Sequence, residues 1–226
     1  MKILMVLTSH SKLGDTNKET GFWIEEFAAP YYVFTDSGAE VIVASPLGGQ
    51  APIDPSSTVS SAQTAYTDRY FTDAKALQII ANTVKLSTVN EKDFDAIFYP
   101  GGHGPMWDLI NDTHSIALIQ NFWNNNKPVV AVCHAPSVLL NVQEQNGDAF
   151  VKNKNVTGFT NAEEEAVQLT EVVPFLLQDE LIRLGGLFTN KENWAPYVVK
   201  DGLLITGQNP ASSEEAAKQL LAELDK

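Results

Sequence analysis

The chain has 226 residues, 44% hydrophobic and 19% charged, which is enough for a large buried core and too few charges for a disordered chain. Its net charge of -13 argues against the basic face that nucleic acid or an anionic membrane surface requires. One cysteine excludes an intrachain disulfide and a multi-thiolate zinc site, and a lone thiol fits a reducing, cytoplasmic compartment.

Residues 2–8, KILMVLT, form an apolar run of the kind buried on both faces of a parallel sheet. The run lacks a cleavage site and passes straight into polar SHSKLGDTNK, so it reads as a strand and not as a leader. Thr20 to Asp36 has helical spacing, with Pro30 expected to kink or break it and Ser37-Gly38 ending it. EVIVAS at 40–45 is a second strand, completing a right-handed βαβ unit. Pro46 to Asn90 is rich in Gly and Pro at its start and shows one modest helix near Asp73 to Asn82. It reads as an insertion, about 50–90, lying over the sheet.

FDAIFY at 94–99 returns to a strand and ends in the tight turns of Pro100-Gly101-Gly102-His103-Gly104-Pro105. Thr113 to Asn125 is an amphipathic helix, PVVAV at 128–132 a short buried strand, and Ala135 to Val142 a helix. Val156 to Phe159 reads as a short strand, and Asn161 as the cap of a helix carrying Glu163, Glu164 and Glu165. Pro174 interrupts helical text from Glu171 to Leu184. Tyr197–Lys200 and Leu203–Thr206 flank Asp201-Gly202 as a hairpin, and Ser212 or Ser213 caps a last helix to Leu224. One α/β domain, residues 1–226, follows, built as a doubly wound, mostly parallel sheet with helices on both faces. Sites in such sheets form beyond the carboxyl ends of strands, where Ser9-His10, Gly101 to Gly104 and Cys133-His134 all fall.

Cys133 sits where a buried strand meets a helix, flanked by Ala131 and Ala135, as in a nucleophile elbow. Free N–H groups and the dipole at a helix N-terminus favour a thiolate, so the thiol pKa is expected to fall. His134 serves as a base if the turn brings its ring round to the sulfur. Gly101 and Gly102 permit close backbone approach, and amides there can hold an oxyanion. The four histidines are dispersed, with no i, i+4 pair, so no metal is expected.

Phe98 to Gly104, followed about 30 residues later by Ala131-Val132-Cys133-His134-Ala135-Pro136, resembles the ThiJ/PfpI superfamily. Thr20 to Glu26, Pro52-Ile53-Asp54-Pro55, Val156 to Thr160 and Asp201 to Ser212 extend the resemblance across essentially the whole chain. They point to its branch of heat-inducible chaperones and glutathione-independent glyoxalases (glyoxalase III). The resemblance implies a flavodoxin-like, class I glutamine amidotransferase-like fold, with the insertion covering the site, and a homodimer. It makes Cys133 the nucleophile, His134 the triad histidine and Glu164 the triad acid, with Glu163 and Glu165 as alternatives. Glu26 becomes the carboxylate at the sulfur, with Glu25 as alternative, and Gly101, Gly102 and His103 contribute to the oxyanion and substrate site. The implied reaction converts methylglyoxal or a related 2-oxoaldehyde to a 2-hydroxy acid such as lactate, without metal or other cofactor. The same residues also suit a cysteine amidase or peptidase and a protein deglycase, and a stress chaperone or thiol redox sensor belongs to the same resemblance.

Overall fold

The computed structural model describes all of residues 1–226. Its main sheet has seven strands: β1 (Lys2–Val6), β2 (Glu40–Ser45), β3 (Val84–Lys85), β4 (Ala96–Tyr99), β5 (Val129–Val132), β8 (Val198–Asp201) and β9 (Leu204–Gly207). The spatial order is β3-β2-β1-β4-β5-β9-β8, parallel throughout except for β8, which pairs antiparallel with β9. Two further short strands, β6 (Asn155–Val156) and β7 (Leu187–Phe188), make a separate parallel pair. The expected mostly parallel, flavodoxin-like α/β sheet is the one observed.

Alternation along the strands divides the core into two halves. Ile3 and Met5 of β1, Phe98 of β4 and Val130 of β5 pack under α1 (Ile24–Asp36), α2 (Ala65–Thr72), α3 (Ala74–Ala81) and α7 (Ser213–Leu224). Leu4, Val6, Ile97 and Val129 face the other way, against α4 (Thr113–Asn124) and the segments that carry Val138 and Leu181. The chain leaves β1 for β2 on one side and returns to β4 on the other. The carboxyl ends of β1, β4 and β5 therefore meet at the switch in strand order, where a ligand crevice forms.

Several local expectations are corrected. α1 begins at Ile24 and not Thr20, because Phe22 is drawn into a parallel bridge with Ile53. Pro30 does not break it: the helix continues to Asp36, and only the bond to the Glu26 carbonyl is forgone. The insertion holds two helices, split at Asp73, whose side chain caps α3, and its last residues add β3 to the sheet edge. After Cys133 there is a five-residue 3₁₀ helix, Ala135–Leu139, in place of a helix to Val142. Val156 to Phe159 contributes only β6, and the helical text after Glu171 yields only α6 (Leu177–Arg183). Thr160, not Asn161, caps α5 (Asn161–Ala166), and Ser212 precedes α7 without a side-chain cap bond. No helix is long and apolar enough to cross a membrane.

Candidate active site

Cys133 follows β5 directly and has φ +60°, a left-handed conformation that costs a non-glycine residue energy. Two long-range bonds impose it. The Cys133 N–H donates to the Gly207 carbonyl at 2.9 Å, and its carbonyl accepts from the Phe159 N–H at 2.8 Å. The strained turn lifts the side chain off the sheet, and the sulfur ends 3.4 Å from His134 Nδ1.

His134 is gripped between the His103 ring, 3.9 Å away centroid to centroid, and the Phe159 ring at 4.2 Å. Its Nε2 lies 2.7 Å from Glu164 Oε2, while His103 Nε2 lies 2.8 Å from Glu164 Oε1. Burial alone would raise the Glu164 carboxyl, but the two imidazoles beside it hold it well below the usual carboxylate range. Glu164 is therefore a carboxylate accepting from both rings. Burial, reinforced by the nearby His103, pushes His134 down, so its ring is neutral with Nε2–H donated and Nδ1 bare toward the thiol.

Glu26 projects from the first turn of α1 and is fully buried. Its Oε2 accepts from the Gly101 N–H at 2.7 Å. Oε1 has no hydrogen-bond partner, and the carboxyl as a whole lies within reach of the Cys133 thiol. Burial pushes Glu26 up to about 8, against the opposing pull of the thiol and the Gly101 amide. The thiol pKa is raised too, above all by burial, which corrects the expected fall. The reason is local: the 3₁₀ turn after Cys133 is too short to supply a helix dipole, and Cys133 is only 3% exposed. The resting site thus holds a neutral thiol, a protonated Glu26 and a neutral His134 at neutral pH.

Glycine is required at both positions before His103. A Cβ on Gly101 would lie 2.6 Å from both Glu26 Oε2 and the Val132 carbonyl. Gly102 has φ +84°, and a Cβ there would meet the Gly21 carbonyl at 2.4 Å. The Gly101 N–H is committed to Glu26, whereas the N–H groups of Gly102 and His134 have no protein acceptor. Those two are the amides available to a developing negative oxygen.

The three consecutive glutamates separate cleanly. Glu164 reaches the histidines, Glu163 points away into a buried polar cluster, and Glu165 is exposed. Glu25 accepts from Thr64 of the insertion and does not meet the sulfur. His10 stacks on Trp107, outside the cysteine site. His103, His134 and Glu164 also form the one close grouping of metal-ligating residue types, but their Nε2 atoms and carboxylate oxygens are already paired with one another.

A cavity of 390 Å³ meets this cluster at His103, with Trp23, Lys18, Asp54, Ser56 and Val167 among its other lining residues. The insertion supplies Asp54 to Ser56 of that wall, close to the covering role expected for it. Sequence reasoning missed Trp23 and Asp54 as lining residues and the bond between His103 and Glu164. Those two partners stand 61 residues apart, and no local pattern signals the pairing.

Burial of Glu26 makes a stability prediction. Its pKa is raised on folding, so between about 4.5 and 8 the native state keeps a proton that the unfolded chain releases. The corresponding stability is full below pH 4.5 and declines as pH rises toward 8, by at most about 1.4 kcal/mol per pH unit. Glu26→Gln should therefore melt higher than the wild type at pH 8, with the gap closing toward pH 4.5. Thermal melts across that range check it, and a gap independent of pH would show that Glu26 is ionised in the native protein.

Comparison with known proteins places these features in context. Residues 19–223 match the DJ-1/PfpI family. Glyoxalase 3 of Candida albicans is 26% identical over 100% of this chain and 99% of its own length. The glutathione-independent glyoxalase hsp3102 of Schizosaccharomyces pombe is 29% identical, covering 92% of this chain and 90% of that protein. Among solved structures, the Rapid Encystment Protein 24 kDa of Francisella tularensis superposes with a TM-score of 0.94 at 38% identity, covering 99% of this chain and 98% of the other. The Candida albicans glyoxalase III structure gives 0.90 at 26% identity, over 98% of this chain and 96% of that one.

Proposed function

Because the chain belongs to the DJ-1/PfpI family, we propose that its cysteine site is that of a glutathione-independent glyoxalase, converting methylglyoxal or a related 2-oxoaldehyde to a 2-hydroxy acid. Relatives named Glyoxalase 3 and glutathione-independent glyoxalase, aligned over nearly the whole chain, support the activity. The observation that carries the chemistry is the linked set Glu164, His134, Cys133 and Glu26, in which a base and an acid flank one sulfur.

The neutral thiol needs its proton removed as it attacks. His134 Nδ1 accepts that proton while the sulfur bonds to the aldehyde carbon, and Glu164 stabilises the imidazolium through Nε2–H. The nascent oxyanion faces the N–H groups of Gly102 and His134 and takes the proton back, giving a hemithioacetal. Glu26, in its ionised fraction, removes the hydrogen from the former aldehyde carbon. The same group returns it to the neighbouring carbon. The resulting lactoyl thioester is hydrolysed by water, which releases lactate and the thiol.

A buried Cys133 and a cavity of 390 Å³ that meets the site at His103 suit a small substrate and give a folded peptide chain little room. This favours the glyoxalase reading over peptidase or protein-deglycase activity. The acidic surface suits neither nucleic acid nor membrane, and the single free thiol is at home in the cytoplasm. A homodimer is proposed on family membership alone. The test is lactate formation from methylglyoxal with no glutathione present. Activity should rise as pH rises toward about 8, where Glu26 loses its proton and becomes a base. Absence of lactate at any pH would overturn the assignment.

A further inference from the structure

Glu164 serves two imidazoles, and they are wired alike. Each gives its Nε2–H to a separate oxygen of that carboxylate, at 2.7 Å for His134 and 2.8 Å for His103. Each then keeps Nδ1 as its basic nitrogen. His134 turns Nδ1 to the sulfur, whereas His103 Nδ1 has no hydrogen-bond partner in the protein and His103 lines the cavity. His103 both lines the cavity and stacks on the nucleophile's base, so a ring with an unpartnered nitrogen links the two.

We propose that His103 is a second acid–base residue of this site, carrying a proton between the two oxygens of the substrate while His134 serves the sulfur. The proposal rests on the glyoxalase reading and deepens it. Isomerising a hemithioacetal moves two hydrogens, one from carbon to carbon and one from oxygen to oxygen. When the first carbon loses its hydrogen, the electron pair of that C–H bond becomes the new C=C bond, and negative charge settles on the second oxygen. The hydroxyl on the first carbon then gives its proton to His103 Nδ1, which hands it to the second oxygen. The first oxygen becomes the thioester carbonyl as the second carbon takes up a proton. The first carbon is oxidised and the second reduced by the same amount, so no external redox partner is needed.

The geometry also orders the steps. With the two rings 3.9 Å apart, two imidazolium charges side by side are costly, so the pair holds one extra proton at a time. His134 must return the thiol proton before His103 takes one from substrate.

His103→Gln keeps an N–H for Glu164 but has no basic nitrogen. Lactate turnover should fall by about 100-fold or more, as for loss of an acid–base group. Alkylation of Cys133 by iodoacetamide, which depends on His134 and Glu164, should stay within about threefold of wild type. A second variant, His103→Ala, should regain at least about tenfold in turnover when imidazole is added, because the missing base is supplied from solution. Turnover of His103→Gln within about threefold of wild type would overturn the proposal. So would a parallel fall in alkylation with no rescue by imidazole, which would make His103 only a support for Glu164. A wild type that fails to convert methylglyoxal in the same assay would remove the glyoxalase reading itself, and this proposal with it.

Discussion

Replacing Cys133 with alanine should lower lactate formation from methylglyoxal by at least about 10⁴-fold, the scale seen when a covalent nucleophile is lost. The expectation follows from what surrounds the sulfur. Glu26, His134 and the free amides of Gly102 and His134 are placed to act on an adduct that only the sulfur can form. None has a role in this reaction without it. The fold should tolerate the change. The left-handed backbone at Cys133 is held by Gly207 and Phe159 through main-chain bonds that alanine keeps. The small void left by one sulfur costs about 1 kcal/mol, or about 2–4 °C in melting temperature for a chain of this size. Cys133→Ser should be nearly as inactive, since the hydroxyl is a far weaker nucleophile beside a neutral imidazole. Turnover within tenfold of wild type in either variant, measured on folded protein, would show that the chemistry lies elsewhere.

Neighbouring glutamates should give opposite phenotypes. Glu164→Gln is expected to lower kcat by about 10³–10⁴-fold, as when the orienting carboxylate of a triad becomes an amide. The amide can accept from only one of the two histidines and offers the other an N–H, which disfavours the tautomer with Nδ1 bare. Glu163→Ala should instead act on stability. Glu163 is fully buried and accepts from the Trp194 N–H, Gln208 Nε2 and Asn209 Nδ2 on Oε1, and from the Thr160 N–H and hydroxyl on Oε2. Those donors tie α5 to the end of β9 and to the loop holding Trp194. Removing the acceptor strands all of them, at a cost of about 3–5 kcal/mol, or about 10 °C or more in melting temperature. Kinetics and thermal melts on the two variants check both halves. Severe loss of kcat with an unchanged melt in Glu163→Ala would reverse the assignment.

The linkage of Glu164 adds a signature to those melts. Its carboxyl is held low on folding, so its stabilising contribution is present above about pH 4.5 and is lost as pH falls below that value. Glu26 behaves in the opposite sense, losing its contribution as pH rises toward 8. Two buried carboxyls in one site are thus set to opposite protonation states, Glu164 by its imidazole donors and Glu26 by a nearly uncompensated burial.

Much of the scaffold was legible because it depends on local pattern. KILMV, AIFY and VVAV are apolar without interruption, and in the sheet they are β1, β4 and β5, buried on both faces. The hairpin signalled at Asp201-Gly202 forms one residue later: Asp201 ends β8 opposite Leu204, and Gly202-Leu203 make the turn. Where local pattern failed, a long-range contact had overridden it. Residues 20–23 have helical spacing but Phe22 bridges to Ile53, and Pro136 and the strained Cys133 turn the segment after β5 into a 3₁₀ helix. Three consecutive glutamates carry no directional information as text. Thr160 capping α5, with Glu163 answering in its capping box, sets the rotation that sends Glu164 to the histidines.

Periodicity and turn chemistry are properties of neighbouring residues, so the amino-acid order by itself determined the alternating strands and helices, the buried strand ends and the position of Cys133 at one of them. Protonation and proximity are different in kind. The raised thiol, the protonated Glu26, and the meeting of His103 with a carboxylate 61 residues away arise from everything packed around them. Only the folded chain sets that packing, because desolvation and charge coupling depend on distances through space and not along the backbone.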